Sequence, residues 1–281
     1  MQKRFFTLLL KFLPVLSVLW ASACTTFDKD TAEENIRKML VLETERLYAS
    51  PTQFTLNFAR TDSIMADSLY LLSSIKINTV FARETLSIKF NQKREKDTII
   101  TIGDSAKVAI ERNYKGTMDV KLTHIDSNST LTFTKNFNST RMQSAKFAED
   151  KTWALLSYTL PEERSDTNTT QIFSLKIKGK GIDTTIYSVN SMIKLKTFPK
   201  LASGVKLSLE LRTVADTSNL ICFAKGKQQT RFTPTGTKED RWKTELTTSS
   251  TPLIIGIINK KALLHNKYPV DFDLWIIPFE H

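Results

Sequence analysis

The chain has 281 residues, 41% of them hydrophobic and 25% charged, which excludes wholesale disorder and allows one large or two ordinary domains. Lys and Arg number 40 against 29 acids, a net charge of +11, so the surface is either a soluble face rich in Lys or one suited to anionic lipid or acidic glycan. Two cysteines exclude a disulfide framework, and with only eight Gly and eight Pro most turns must be built from Asn, Asp, Ser, Thr and Lys.

The N-terminus carries the clearest signal. Lys3 and Arg4 form a positive start, Phe12 to Trp20 (FLPVLSVLW) is an apolar run, and the small residues Ala21, Ser22 and Ala23 precede Cys24. That order is a secretory signal over residues 1–23: charge held inside, a short apolar helix, then side chains small enough for a peptidase. The run of nine spans about 14 Å as a helix, too short for a bilayer core. Export argues against a nucleic-acid partner.

The segment resembles a bacterial lipobox, in which two small residues precede a cysteine that becomes acylated. Ser22 and Ala23 supply the pair, and Ala21 stands where such motifs usually have Leu. Ala21-Ser22-Ala23 also fits the ordinary signal peptidase, which would cut the same bond and leave Cys24 a free thiol. The resemblance implies lipid attachment at Cys24, and Thr25, where an Asp would mark inner-membrane retention, leans toward the outer membrane, with the periplasmic or surface face left open. Asp28-Lys29-Asp30 with Glu33 and Glu34 is loosely similar to surface-export tags of Bacteroidota lipoproteins.

Along the expected mature chain, residues 24–29 read as a tether. Asp30 to Ala49 is the one clear helix, capped by Asp30 or Thr31 with Glu33 or Glu34 completing a capping box, and stopped at Ser50-Pro51. The period then switches to two. Phe54, Leu56 and Phe58 alternate with polar residues; so do Leu86, Ile88 and Phe90; Met118, Val120 and Leu122; Phe173, Leu175 and Ile177; Val205, Leu207, Leu209 and Leu211; and Val270, Phe272, Leu274 and Ile276. Alternation of this kind places apolar side chains on one face of an antiparallel strand. Leu253 to Ile258 (LIIGII) is continuously apolar and predicts a strand covered on both sides. Residues 160–170 (LPEERSDTNTT) lack apolar periodicity and read as a linker. The expectation is therefore a mainly β protein with one N-terminal helix. It has two antiparallel β-sandwich domains of immunoglobulin-like architecture, 30–159 and 171–281, the alternative being a single large sandwich.

No motif announces catalysis. The chain contains no G-x-S-x-G, HExxH, P-loop or CxxC, and Gly179-Lys180-Gly181 reads as a hairpin turn. His124, His265 and His281 are too dispersed for zinc, so neither a metal nor a cofactor is expected. Asp271 and Asp273 share a strand face about 7 Å apart, which suits an exposed polar face or, less simply, acid–base work or calcium. Seven lysines between Lys176 and Lys206 against one acid, Asp183, could form a basic surface or protect strand edges. Trp153, Trp242 and Trp275 read as core, with a sugar-stacking platform as the other possibility. Asp followed by Ser or Thr and an apolar residue or Thr resembles the O-glycosylation acceptor of exported Bacteroidota proteins, giving Thr31, Ser63, Ser68, Thr98, Ser105 and Thr184 as candidates. The same dipeptides are also turn signals. The functional expectation is a lipid-anchored outer-membrane protein with a non-enzymatic structural, assembly or binding role, meeting the membrane through its anchor and an envelope protein as partner. The alternative is a surface glycan-binding lipoprotein of a carbohydrate-uptake system, and a hydrolase with carboxylates gathered from distant strands is a third reading.

Overall fold

The computed structural model of the chain describes residues 27–44, 46–62, 64–65, 69–95, 98–167, 169–187, 190–195, 203–214, 219–235, 240–248, 252–265 and 267–277. Cys24, Ser63, Ser68 and His281 lie outside them. The architecture is mainly β, with antiparallel strands in two sheets and an N-terminal helix, α1 (Lys29–Leu42). Its cap is Asp28, whose carboxylate accepts from the Thr31 N–H at 3.2 Å and the Thr31 hydroxyl at 2.6 Å. The helix ends at Leu42, seven residues short of the expected Ala49, and irregular backbone continues to Thr52.

The first sheet runs β1 (Gln53–Asn57), β2 (Tyr70–Glu95), β3 (Thr98–His124), β4 (Thr130–Asp150), β6 (Glu162–Ser165), β16 (Phe272–Ile277), β15 (Leu253–Asn259), β11 (Leu220–Lys225) and β12 (Gln229–Arg231). β5 (Thr152–Tyr158) pairs with β4 and with β9 (Ile193–Lys194). The second sheet runs β13 (Thr233–Pro234), β14 (Arg241–Thr247), β10 (Lys206–Thr213), β7 (Ile172–Gly179) and β8 (Ile182–Ile186).

Three cores share these strands. One half of β2, β3 and β4 curls with β1, β16, β15 and β11 into a nearly closed barrel filled by residues such as Leu56, Ile75, Met118, Val120, Phe223 and Leu274. Its seam is closed by one side chain: Gln229 donates to the Asn57 carbonyl at 2.6 Å and accepts from the Asn57 N–H at 2.9 Å. A short helix, α2 (Lys260–Leu264), packs Leu263 against the barrel core. It is held by the Lys135 ammonium, which donates to the carbonyls of Ala262, His265 (2.7 Å) and Tyr268 (3.0 Å). The other half of β2–β4, with β5, packs on α1 through Ile36, Leu40, Val108, Ile110, Phe147 and Trp153. The third core lies between the second sheet (Leu207, Leu209, Leu211) and the outer faces of β11, β15 and β16 (Cys222, Ile255, Ile257, Trp275). β15 is thus apolar on both faces, as its unbroken run predicts. Gly256 interrupts that run because a Cβ there would sit 2.3 Å from Phe223 Cζ and 2.7 Å from Leu274 Cδ2.

The expected linker at 160–170 does not hold. Glu162–Ser165 is a buried strand paired on one side with Ser139–Met142 of β4 and on the other with Asp273–Trp275 of β16. Its polarity reflects partners rather than solvent. Glu163 and Arg141, opposite each other in register, are both fully buried and ion-paired at 2.7 Å. All five N–H groups of Arg141 are used. Nη1 donates to the carbonyls of Tyr48 (2.7 Å) and Ser50 (2.8 Å), Nη2 to Thr52 Oγ1 (2.6 Å) and Glu163 (2.7 Å), and Nε to Glu163 (3.2 Å). Ser139 and Thr52 hydroxyls donate to the carboxylate at 2.7 and 2.6 Å. The guanidinium carbon lies 4.7 Å from the Tyr114 ring centroid and 5.0 Å from that of Tyr48. β16 and β6 join what the sequence divides into two domains within one sheet.

A second difference is Phe173, expected inside but exposed. A register shift at Arg212/Thr213 puts Ile172 on the buried face in its place.

Two outcomes follow from this buried strand. Limited proteolysis of the native protein should spare the bonds at Glu162, Glu163 and Arg164; a first cut there would contradict the pairing. Glu163→Ala should cost about 3–5 kcal/mol, because it leaves a buried guanidinium without its counter-charge. Because the cores share strands, urea unfolding should remain a single transition.

Candidate functional site

The carboxylates singled out in the sequence, Asp271 and Asp273, do not form an exposed polar face: both are fully buried. The reason is that the opposite face of β16 is covered by the chain running from β6 into the second sheet. Asp271 ties that chain down. Its carboxylate accepts from the N–H groups of Thr169 (3.1 Å) and Thr170 (3.3 Å), from both threonine hydroxyls, and from Asn259 Nδ2 at 3.2 Å. That is a structural clasp, with no coordination capacity left over for calcium.

Asp273 belongs to a different cluster. Cross-strand register places it opposite Arg164, and Trp275 opposite Glu162. Oδ2 accepts from the Ile172 N–H at 2.8 Å. Oδ1 lies 3.7 Å from Arg164 Nε and has no hydrogen-bond partner; Arg164 Nε and Trp275 Nε1, also buried, lack one too. Arg164 pairs through Nη2 with Glu162. Burial, then the charge of Glu162, pushes the Asp273 carboxyl up to about 8. Glu162 is raised as well, again chiefly by burial, with Arg164 opposing. Two carboxylates in one buried site cannot both ionise freely. A proton held on Asp273 Oδ1 removes the like-charge repulsion and makes Oδ1 a donor. The pair is built from segments 111 residues apart, which no local motif reveals. Arg164, its side chain 28% exposed, is the cluster's most exposed member.

The other residues singled out by sequence are dispersed. Trp153, Trp242 and Trp275 are 4%, 3% and 1% exposed and so offer no stacking platform. His124 Nδ1 accepts from the N–H groups of Asp126 and Ser127 at 3.2 Å, and its ring lies edge-on to Tyr70. His265 caps α2. Among the described residues no group of His, Cys, Asp and Glu is arranged to hold a metal. Cys222 is buried and its thiol is pushed well up by desolvation. Gly179-Lys180-Gly181 forms the β7–β8 hairpin turn.

Lys196 and Lys200 lie outside the described residues, and the described strand lysines of the stretch 176–206 are split between the second sheet (Lys176, Lys178, Lys206) and β9 of the first (Lys194). Lys206 pairs with Glu245 at 2.6 Å, and Glu210, opposite Lys176, is flanked by Arg241 and Lys243. Of the candidate glycosylation positions, Thr31 is exposed in the first turn of α1, Thr98 opens β3, Ser105 is half-buried in β3, and Thr184 is half-buried on the edge strand β8.

Compared with known proteins, the chain matches no family model, no curated protein and no solved structure.

The acid pair has a pH signature. Asp273 has a folded-state value above its unfolded one, so folding takes up a proton. Its contribution to stability is full below about pH 4, shrinks as pH rises and is lost above about pH 8. Asp273→Asn cannot ionise and keeps an acceptor for the Ile172 N–H. It should flatten the fall in stability between about pH 4 and pH 8 and make the variant relatively more stable at the alkaline end. Parallel urea-stability curves for parent and variant across that range would refute the shared proton.

Proposed function

We propose that the protein is a lipid-anchored component of the cell envelope, acylated at Cys24 in the outer membrane, with a non-enzymatic structural, assembly or binding role. The supporting observation is where the folded body begins. Phe27 packs edge-on against Phe90, ring centroids 4.8 Å apart, and lies where a Cβ on Gly103 would fall. Three residues after the lipobox-like cysteine, the chain is already part of a core. At most about 11 Å of extended chain separates Cys24 from that contact, so an acylated cysteine would hold the body close against the bilayer.

The burial of the three tryptophans takes away the indole platform that a sugar-binding surface would use. No helix among the described residues is long and apolar enough to cross a membrane. The reading therefore assigns membrane attachment to the lipid and function to the outer surfaces of the sheets.

Cys24→Ala should move the protein from membranes into the soluble envelope fraction after a high-salt wash, which screens charge-held contacts. The anchor contributes about 0.8 kcal/mol per buried CH₂. A Cys24→Ala protein that stays in salt-washed membranes would place the anchor elsewhere.

A further inference from the structure

The register of the first sheet aligns lysines that are far apart in sequence. Lys89 of β2 is opposite Lys107 of β3, and Lys107 is opposite Lys146 of β4. The line continues through Ser157 of β5 to Lys194 of β9. All four lysines are exposed. Neighbouring strands lie about 4.8 Å apart, so the first three ammonium groups stand in a row across about 10 Å. Parity keeps them on the face away from α1, because Phe90, Val108, Ala145 and Phe147 point into the core. The next residues on that face are uncharged: Ser87, Ala109 and Ser144 on one side, Ser105 and Ala148 on the other. The nearest outward acids along these strands, Glu111 and Asp150, are each four residues from a lysine, about 13 Å of strand rise. Like charges placed directly opposite destabilise a sheet, so nothing in the folding of this face accounts for the row.

The same end of the molecule carries two other features. Ile99 and Ile102, at the start of β3, are 65% and 45% exposed. Residue 102 adjoins Gly103, the residue under Phe27, so Ile102 lies beside the first described residue of the chain, whereas Ile99, opposite Arg94, points to the α1 face. A depression of about 420 Å³ at this end is lined by Lys29, Ile88, Lys89, Phe90, Gln92 and Thr101.

We infer that this end is a membrane-docking surface, in which the Lys89–Lys107–Lys146 row binds the phosphates of anionic lipid headgroups while Ile102 enters the interface between headgroups and acyl chains. The geometry suits a bilayer: a row of cations across three strands, an apolar side chain, Ile102, toward the hairpin end, and Phe27, three residues from the proposed anchor, beside it. The inference rests on the anchored reading for the choice of a bilayer as occupant. Each cation near an anionic surface adds attraction that acts within a Debye length. The row orients the body on the membrane; the acyl chains retain it there.

The test uses the chain from residue 24 onward, which keeps every described residue, with Cys24→Ser so that no lipid is attached. Flotation is measured with vesicles of phosphatidylcholine alone and of phosphatidylcholine containing phosphatidylglycerol. The parent should float with the anionic vesicles, release as salt is raised, and stay behind with the neutral ones. Lys89→Ser/Lys107→Ser/Lys146→Ser should lower partitioning by on the order of ten-fold or more. Lys176→Ser/Lys178→Ser/Lys243→Ser, an equal charge change on the second sheet, should leave it nearly unchanged. Ile102→Ser should weaken binding to the anionic vesicles at every salt concentration. Loss of the row should raise the melting temperature slightly, since it removes like-charge neighbours, so a folded variant is expected. Equal losses from the two triple variants, or a parent that does not distinguish the vesicles, would overturn the docking surface. Neither result bears on Cys24, which the fractionation experiment tests separately.

Discussion

The structure depends on one buried ion pair. β2, β3 and β4 carry an apolar core at each end, and the chain must pass from α1, in one core, to β1, in the other. It does so as irregular backbone on either side of the buried Leu47, where several carbonyls are met by side chains. Arg141 meets those of Tyr48 and Ser50, Arg112 that of Leu47 at 2.9 Å, and Gln143 that of Arg46 at 3.3 Å. An interior guanidinium needs a counter-charge, and Glu163 provides it. For Glu163 to stand there, β6 must pair with β4. Once β6 is in place its other edge receives β16, and the two halves of the chain become one sheet.

This explains which parts of the fold were legible in the sequence. Alternation identified strands wherever one face meets an apolar core: 118–122 in the barrel, 205–211 in the second sheet, 270–276 between them. It failed across the polar waist. The inward positions of β4 include Lys135, Ser139, Arg141 and Gln143, so its 21 residues show no apolar period although most of these side chains are buried. Glu162-Glu163-Arg164 looked like solvated linker for the same reason: a polar residue satisfied inside cannot be told from one exposed outside until its partners, some 110 residues along, are in view. Asp271 and Asp273 were misjudged alike, since the covering segment comes from residues 169–172. Only the unbroken apolar run at Leu253–Ile258 announced burial on both sides.

The functional surfaces were less legible still. Of the seven lysines clustered in sequence between 176 and 206, the described ones are divided among both sheets and partly neutralised, whereas the row at Lys89, Lys107 and Lys146 exists only through strand register. The proton-sharing pair of Glu162 and Asp273 is likewise a product of topology. Composition gave the excess of positive charge but not its place. The N-terminal signal proposed for residues 1–23 would, by contrast, be read in linear order.

Gln229 has a further consequence. A sheet edge offers a row of unpaired N–H and C=O groups to any other chain that comes alongside, and proteins crowded on a two-dimensional surface meet edge to edge often. By engaging both backbone groups of Asn57, one glutamine amide closes the gap between β1 and β12 against an intruding strand. The long outer edge of β2 beyond Asn78 has no such stitch. It is broken instead by irregularities at Phe81/Arg83 and Phe90/Gln92 and studded with Arg83, Lys89 and Lys93. Strand addition to the first sheet is thereby opposed at one edge by closure and at the other by bends and charge.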